Sequence, residues 1–237
     1  MVTIRDGFEN GFYAFSGVGE MTCPNGWVPV WVDDPREGIL DRPEWKPAGQ
    51  AQVRNGTGAA AIHSRYSTID GALVRTVSVN PGDTVIVSGW CLKTEDAEGH
   101  GQVIGIDPDG ESDINGGNIA WSDWYSQYEP DYKVNEWRQR RVSTVAESNL
   151  VTVFLRSRVD FAVDGSNAHF DDIEIQIVGE EPEPEPEPDP DPIETLTVEL
   201  LINGDSVFRQ EYVPEVTSVV LRPLGCIVAQ LMGLLKR

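Results

Sequence analysis

Between Trp121 and Tyr132 the chain sets Trp121, Trp124, Tyr125, Tyr128 and Tyr132 among polar residues. That stretch is too polar for a simple core strand and too aromatic for an ordinary loop. Rings of this kind stack on the apolar faces of sugars while polar neighbours take the hydroxyls. Trp27 and Trp31, near Tyr13, form a second aromatic group early in the chain. His63, Arg65 and Arg156 fall opposite the apolar positions of their segments and could line a polar face beside such rings. Trp124 and Tyr125 are the favoured ligand-binding pair, with Arg65 and Arg156 as polar partners; Trp27, Trp31 and His63 complete the set. Each tryptophan also suits a core, and both roles stay open at this point.

Catalytic patterns are missing. There is no Gly-x-Ser-x-Gly, no His-Glu-x-x-His and no phosphate loop. His63, His100 and His169 are scattered. Glycoside hydrolysis needs only two well-spaced carboxylates, and the 39 acids offer many pairs without singling one out. A non-catalytic protein is therefore the expectation. Cys23, Cys91 and Cys226 have no metal-ligand spacing. Cys91 lies in an apolar run and suits a core; a Cys23–Cys91 disulfide is open but nothing requires it. Asp107 to Asp113 is rich in acids, yet Gly110 stands fourth from Asp107 and not sixth, so the segment is a turn and not a calcium-binding loop of the EF-hand kind.

The net charge of −21 argues against nucleic acid as a partner, because no basic patch could neutralise phosphates. No apolar run is long enough to span a membrane. Met1 to Phe12 holds a single Arg and no apolar centre, so no signal peptide is expected and the chain is cytoplasmic as synthesised. Its working place could still be extracellular or on a virion surface.

The elements that must position these residues read as strands. Ala72–Val79 and Val85–Leu92 flank the turn Asn80-Pro81-Gly82-Asp83 and predict two neighbouring antiparallel strands. Gln102–Ile106, Trp137–Val142, Leu150–Arg156 and the alternation of Ile173, Ile175 and Ile177 add more. Many short strands between Gly, Pro, Asn and Asp turns indicate a β-sandwich over residues 1–178. Residues 179–192 alternate acid and proline, which predicts an extended polyproline II spacer of roughly 40 Å. Residues 193–237 predict a small β-hairpin about Asn203-Gly204 and an amphipathic helix after Pro223. So short a segment buries little core alone, which points to an attachment role through a protein partner or self-association.

Gly7-Phe8-Glu9-Asn10-Gly11-Phe12 near the start and His169-Phe170-Asp171-Asp172-Ile173-Glu174-Ile175 near the end bracket residues 1–178. This pairing resembles the galactose-binding-like jelly roll, the fold of many carbohydrate-binding modules attached to glycoside hydrolases. Pro24-Asn25-Gly26-Trp27 and Ile119-Ala120-Trp121-Ser122 resemble stretches of domains from bacterial surface and phage-encoded proteins. The resemblance implies an all-β jelly-roll sandwich and a glycan or polysaccharide as ligand. It also implies a structural Ca2+ joining the first strand to the last, with Glu9 and Asp172 or Asp171 as acidic ligands, since hard oxygen donors suit calcium. The alternative is a structural, decoration or adhesion protein of a phage particle or bacterial surface, anchored by residues 193–237.

Overall fold

The computed structural model describes residues 1–33, 41–95, 99–162, 166–179, 196–202 and 205–212. It divides into two compact units, Met1–Glu181 and Pro182–Arg237.

In the first unit the strands are β1 (Val2–Asp6), β2 (Phe12–Ala14), β3 (Thr22–Pro24), β4 (Val28–Trp31), β5 (Glu44–Pro47), β6 (Ala60–His63) and β7 (Ile69–Ser78). They continue as β8 (Thr84–Lys93), β9 (His100–Asp107), β10 (Ala120–Trp121), β11 (Tyr125–Ser126), β12 (Arg138–Val145), β13 (Leu150–Val159) and β14 (Asn167–Val178). One six-stranded sheet has the order β12-β8-β14-β6-β5, with β1 added to β14. The other runs β10-β9-β13-β7-β4, with β11 added to β9. All these pairings are antiparallel. The expected all-β sandwich is therefore observed. Among the described residues there is no α-helix, only short 3-10 turns at Phe15–Gly17 and Gln50–Gln52. No helix among them is long and apolar enough to cross a membrane.

Alternation builds the core. Val85, Val87 and Cys91 of β8, Ile173 and Ile175 of β14, Leu73 of β7 and Val153 and Leu155 of β13 form one buried cluster with Trp27 and Trp45. Successive side chains on a strand point to opposite faces, so each strand fills the core with every second residue. Cys23 and Cys91 are both buried and free, so the disulfide left open by the sequence is not formed. Burial pushes both thiols up to about 12.

The strands on either side of Asn80–Asp83 do not pair with each other. β7 lies beside β13 and β4, whereas β8 lies beside β12 and β14, in the opposite sheet. The turn is a corner between sheets. Asp83 accepts from the Asn80 backbone N–H at 2.8 Å, Gly82 N donates to Ala146 O, and Ala146 N donates to Asp83 O. The link from β12 to β13 makes the matching crossover beside it. Each chain crossing thus satisfies the other's backbone groups, which a hairpin would have satisfied alone.

The second unit holds β15 (Leu196–Ile202) and β16 (Asp205–Tyr212), which pair antiparallel from Leu196 opposite Tyr212. The Asn203-Gly204 turn, the acidic proline spacer beyond Gly179, Cys226 and the expected helix after Pro223 lie outside the described residues.

Candidate functional site

β9 carries the site. Ile104 and Ile106 point into the core, so Gly101, Val103 and Gly105 face outward. The register on β13 places Arg158 opposite Gly101, Arg156 opposite Val103 and Phe154 opposite Gly105. Two tryptophans use the room the glycines leave. A Cβ at Gly101 would stand 2.6 Å from Cε3 of Trp124, and one at Gly105 would stand 2.5 Å from Cε3 of Trp121. Trp121 closes down on Phe154, with ring centroids 5.8 Å apart, in a small apolar cluster with Ile114 and Ile119. Trp124 stays half-buried and opens onto a cleft of about 420 Å3.

That cleft is lined by Trp124, Ser126, Tyr128, Glu129, Arg158 and Asp160, over the backbone from Gly99 to Gly101. Tyr128 is 71% exposed. Arg158 Nε donates to Asp160 Oδ1 at 2.7 Å, and both side chains are about half open to water. A guanidinium has more donors than this one contact uses, and a carboxylate more acceptor sites. The cleft therefore offers one braced aromatic face, one exposed aromatic ring and charged hydrogen-bonding groups beside them.

The loop that carries Trp124 and Tyr128 is held from beneath. Tyr125 points inward, and its hydroxyl donates towards Lys133 O at 2.6 Å and Glu136 O at 3.0 Å. Its ring packs on Tyr132 at 5.3 Å and under the Arg140 guanidinium at 5.1 Å. Arg140 grips Asp131 with two bonds of 3.0 Å, which hold that carboxyl below the usual range. The same guanidinium reaches Trp124 O at 3.5 Å.

Of the seven ligand-binding residues expected from sequence, Trp124 alone reaches this cleft. Tyr125 is fully buried and is an anchor. Trp27 is fully buried as well, with Nε1 donating to Asp6 at 2.9 Å and its ring 6.0 Å from Phe8, so it is a core residue and not a platform. Arg156 does point to the outer face, but it is only 9% exposed. Its Nε and Nη2 donate to Asp70 at 2.7 and 2.5 Å, and Nη1 to Ile114 O at 3.2 Å. The ion pair and the covering Trp121 ring, 5.2 Å away, leave it nothing for a ligand. Trp31 is half-buried against Trp45 on β4, separated from β9 by β13 and β7.

His63 belongs to the other sheet, at the end of β6, and Arg65 lies in the bend that follows it. His63 sits opposite Glu44 of β5, and Arg65 Nε pairs with Glu44 at 2.9 Å. Burial, reinforced by Lys46 and His169, depresses the His63 pKa to about 3, so it is neutral. Tyr128 stood in the aromatic cluster read from the sequence but outside the favoured set, and Glu129, Arg158 and Asp160 are the contributors that sequence reasoning missed. Gly101 and Gly105, of equal parity on one strand and followed by Trp121 and Trp124, were the available signal.

Glu9, Asp171 and Asp172 do converge. A Cβ at Gly7 would lie 3.7 Å from Asp172 Oδ1, 3.9 Å from Asp171 Oδ1 and 3.8 Å from Glu9 Cγ. β1 ends here against a bulge in β14 between Asp171 and Glu174. Asp171 is fully buried and accepts from the N–H groups of Arg54 (2.8 Å), Asn55 (3.2 Å) and Asp172 (2.7 Å). Burial outweighs those bonds and raises its pKa to about 6. Glu9 accepts from Thr57 N at 2.8 Å, Gly58 N at 3.1 Å and the Thr57 hydroxyl, whose bonds hold its carboxyl low. Asp172 is paired with Arg54, whose guanidinium lies 3.7 Å over Trp90. Among the described residues no three His, Cys, Asp or Glu side chains are placed to share one ion. A cation here would have to share Glu9 and Asp171, the two acids without a cationic side-chain partner, with the N–H and hydroxyl groups they already accept from, and would draw its other oxygens from backbone carbonyls, a mixed oxygen set that suits calcium.

No protein-family model matches the sequence, and no curated protein matches it. Solved structures do. The CBM61 module determined with β-1,4-galactotriose aligns at 14% identity and TM-score 0.43, over 64% of this chain and 88% of its own. The K1 cleaved adhesin domain of Lys-gingipain from Porphyromonas gingivalis W83 aligns at 17% and 0.49, over 76% and 100%. An apo-form cyclase from Fischerella sp. aligns at 14% and 0.47, over 75% and 98%. These neighbours differ in what they do, and none fixes a ligand for the cleft.

Proposed function

We propose that residues 1–178 form a carbohydrate-binding module that holds a glycan in the cleft above β9, without catalysis. The observation that carries this is the half-open Trp124 ring seated on Gly101, with Tyr128 exposed and Arg158, Asp160 and Glu129 lining the same cleft. A sugar offers an apolar face to the first and hydroxyls to the second. Binding without cleavage is supported by the setting of Asp160, one of the two carboxylates that line the cleft. A glycosidase needs one acid kept protonated by burial, whereas Asp160 is 46% exposed and paired with Arg158. Screening wild-type chain and Trp124→Ala on a glycan array tests the reading. Binding to a defined glycan, lost in the variant, is expected. No binding to any glycan, or release of reducing ends from a bound one, would overturn it.

Calcium is proposed as the occupant of the clasp at Gly7, with Glu9 and Asp171 as its acidic ligands. Support comes from the buried Asp171 carboxylate, which has no cationic partner of its own. For residues 193–237 we propose attachment to a protein partner or a second copy of the chain. The compactness of Pro182–Arg237 as a unit distinct from the sandwich favours it. Co-purification of full-length chain, but not of a 1–179 truncation, with a particle or oligomer is the expected result.

A further inference from the structure

We infer that Phe161 is a second platform of the same cleft, and that the ligand is an oligosaccharide chain bound along β9 and not a single sugar. The inference rests on the carbohydrate reading of the cleft. Gly99 continues the β9–β13 ladder beyond His100: Asp160 N donates to Gly99 O at 3.0 Å. Gly99 turns there, with φ +68°, so it lies just outside β9, but its backbone lines the same cleft as Gly101, two residues and roughly 7 Å away. It too is covered by an aromatic ring. A Cβ at Gly99 would meet Cδ2 of Phe161 at 2.7 Å and Cε2 at 3.0 Å. Phe161 is nonetheless 55% exposed. It is not part of the cleft lining itself but adjoins it through Gly99 and Asp160, which are.

The arrangement repeats. Phe161 rests on Gly99, with Asp160 opposite that glycine; Trp124 rests on Gly101, with Arg158 opposite. Each ring has a charged hydrogen-bonding group beside it on the facing strand. Two ring-plus-polar units at strand spacing match a ligand that itself repeats an apolar face and a set of hydroxyls. A lone exposed phenylalanine would need no explanation. This one rests against Gly99 and follows Asp160, both of which line the cleft beside Trp124, so its exposed ring would extend the cleft at that end.

The test uses full-length chain and three size series: cello-, xylo- and β-1,4-galacto-oligosaccharides of one to six units, titrated calorimetrically. In the series that binds, affinity should rise by about tenfold from one unit to three. Phe161→Ala should remove most of that increment, about fivefold or more, and leave single-unit affinity unchanged. Phe161→Tyr, which keeps the ring, should retain it. An affinity independent of length, or an increment that survives Phe161→Ala, overturns the inference while leaving the cleft a sugar site. Loss of single-unit binding in Phe161→Ala, with an unchanged melting temperature, overturns it as well. Failure of wild-type chain to bind any of the three series counts against the carbohydrate reading itself, and the inference falls with it.

Discussion

The six-membered ring of Trp124 fills the space that a side chain at Gly101 would need, with Cε3 only 2.6 Å from the Cβ position. Gly101 has no left-handed backbone angle, so the absence of a side chain serves the ring and not the turn. Gly101→Ala should therefore push Trp124 off its seat. The expected cost is about 1–3 kcal/mol of stability from overpacking, together with a loss of glycan affinity as large as that of Trp124→Ala. A thermal melt and a binding titration on the same sample check both. Full affinity in a stable Gly101→Ala protein would show that the seat does not matter.

Trp124 and Tyr125 are adjacent and should fail in opposite ways. Trp124→Ala removes a half-exposed ring and is expected to cost at least about tenfold in affinity, about 1.4 kcal/mol, with little change in melting. Tyr125→Phe deletes a hydroxyl that serves two carbonyls. It should cost about 1–2 kcal/mol of stability and leave affinity nearly intact.

The same two residues mark how far the sequence could be read. A cluster of aromatics between Trp121 and Tyr132 was visible as composition, and its placement outside a core strand was correct for Trp124 and Tyr128. Neighbours on β11 and its approach point to opposite faces, so Trp124 and Tyr125 could not both line one cleft. Strand existence was legible for β8, β13 and the end of β14, because alternation records which face is buried. Partnership was not: alternation in β7 and β8 is equally consistent with a hairpin and with a corner between sheets, and the distinction lies in pairing with strands distant in sequence, β13 and β4 for β7 and β12 and β14 for β8. Arg158 and Asp160 were missed for a related reason, since their place beside Gly101 depends on a pairing across some sixty residues of chain. Arg156 was read on the right face, but its burial depends on Asp70 and the Ile114 carbonyl, contributed from two other segments.

Arg156 and Asp70 form a buried pair, with side chains 10% and 8% exposed. Removing one partner leaves the other charge buried and unpaired, so Arg156→Ala should lose about 3–5 kcal/mol. The double variant Arg156→Met, Asp70→Leu should recover much of that. Denaturant melts of the two single variants and the double measure the coupling. A single variant as stable as wild type would mean that water reaches the site.

Calcium at the Gly7 clasp would tie β1 to β14 and to the 54–58 loop. Millimolar calcium is expected to raise the melting temperature by about 5–10 °C over chelated protein, as mass action requires of an ion bound only by the folded state. Asp171→Asn should abolish the response. A melting temperature indifferent to calcium and chelator would leave the clasp closed by Arg54 and the backbone N–H groups alone.

The buried histidines set an acid limit whose sign can be worked out. Burial depresses His169 from 6.5 to about 4 and His63, with help from Lys46 and His169, to about 3; His100 shifts the same way. The unfolded chain then binds protons that the folded one refuses. Their contribution to stability is complete above pH 6.5 and is lost as the pH falls toward 4 and below. Asp171 acts oppositely: its folded pKa of about 6 lies above the ordinary 3.8, so its contribution is present below pH 3.8 and is lost as the pH rises through 6. Three histidines outweigh one aspartate, and stability in calcium-free buffer should fall between pH 6.5 and 4. His169 alone accounts for about 3 kcal/mol. Neither of its ring nitrogens has a hydrogen-bond partner, so His169→Leu should fold at pH 7 and show a flatter acid slope. Urea melts at half-unit pH steps measure it. A slope unchanged by that substitution, or greater stability at pH 4.5 than at pH 7, would contradict the assignment of acid sensitivity to these buried rings.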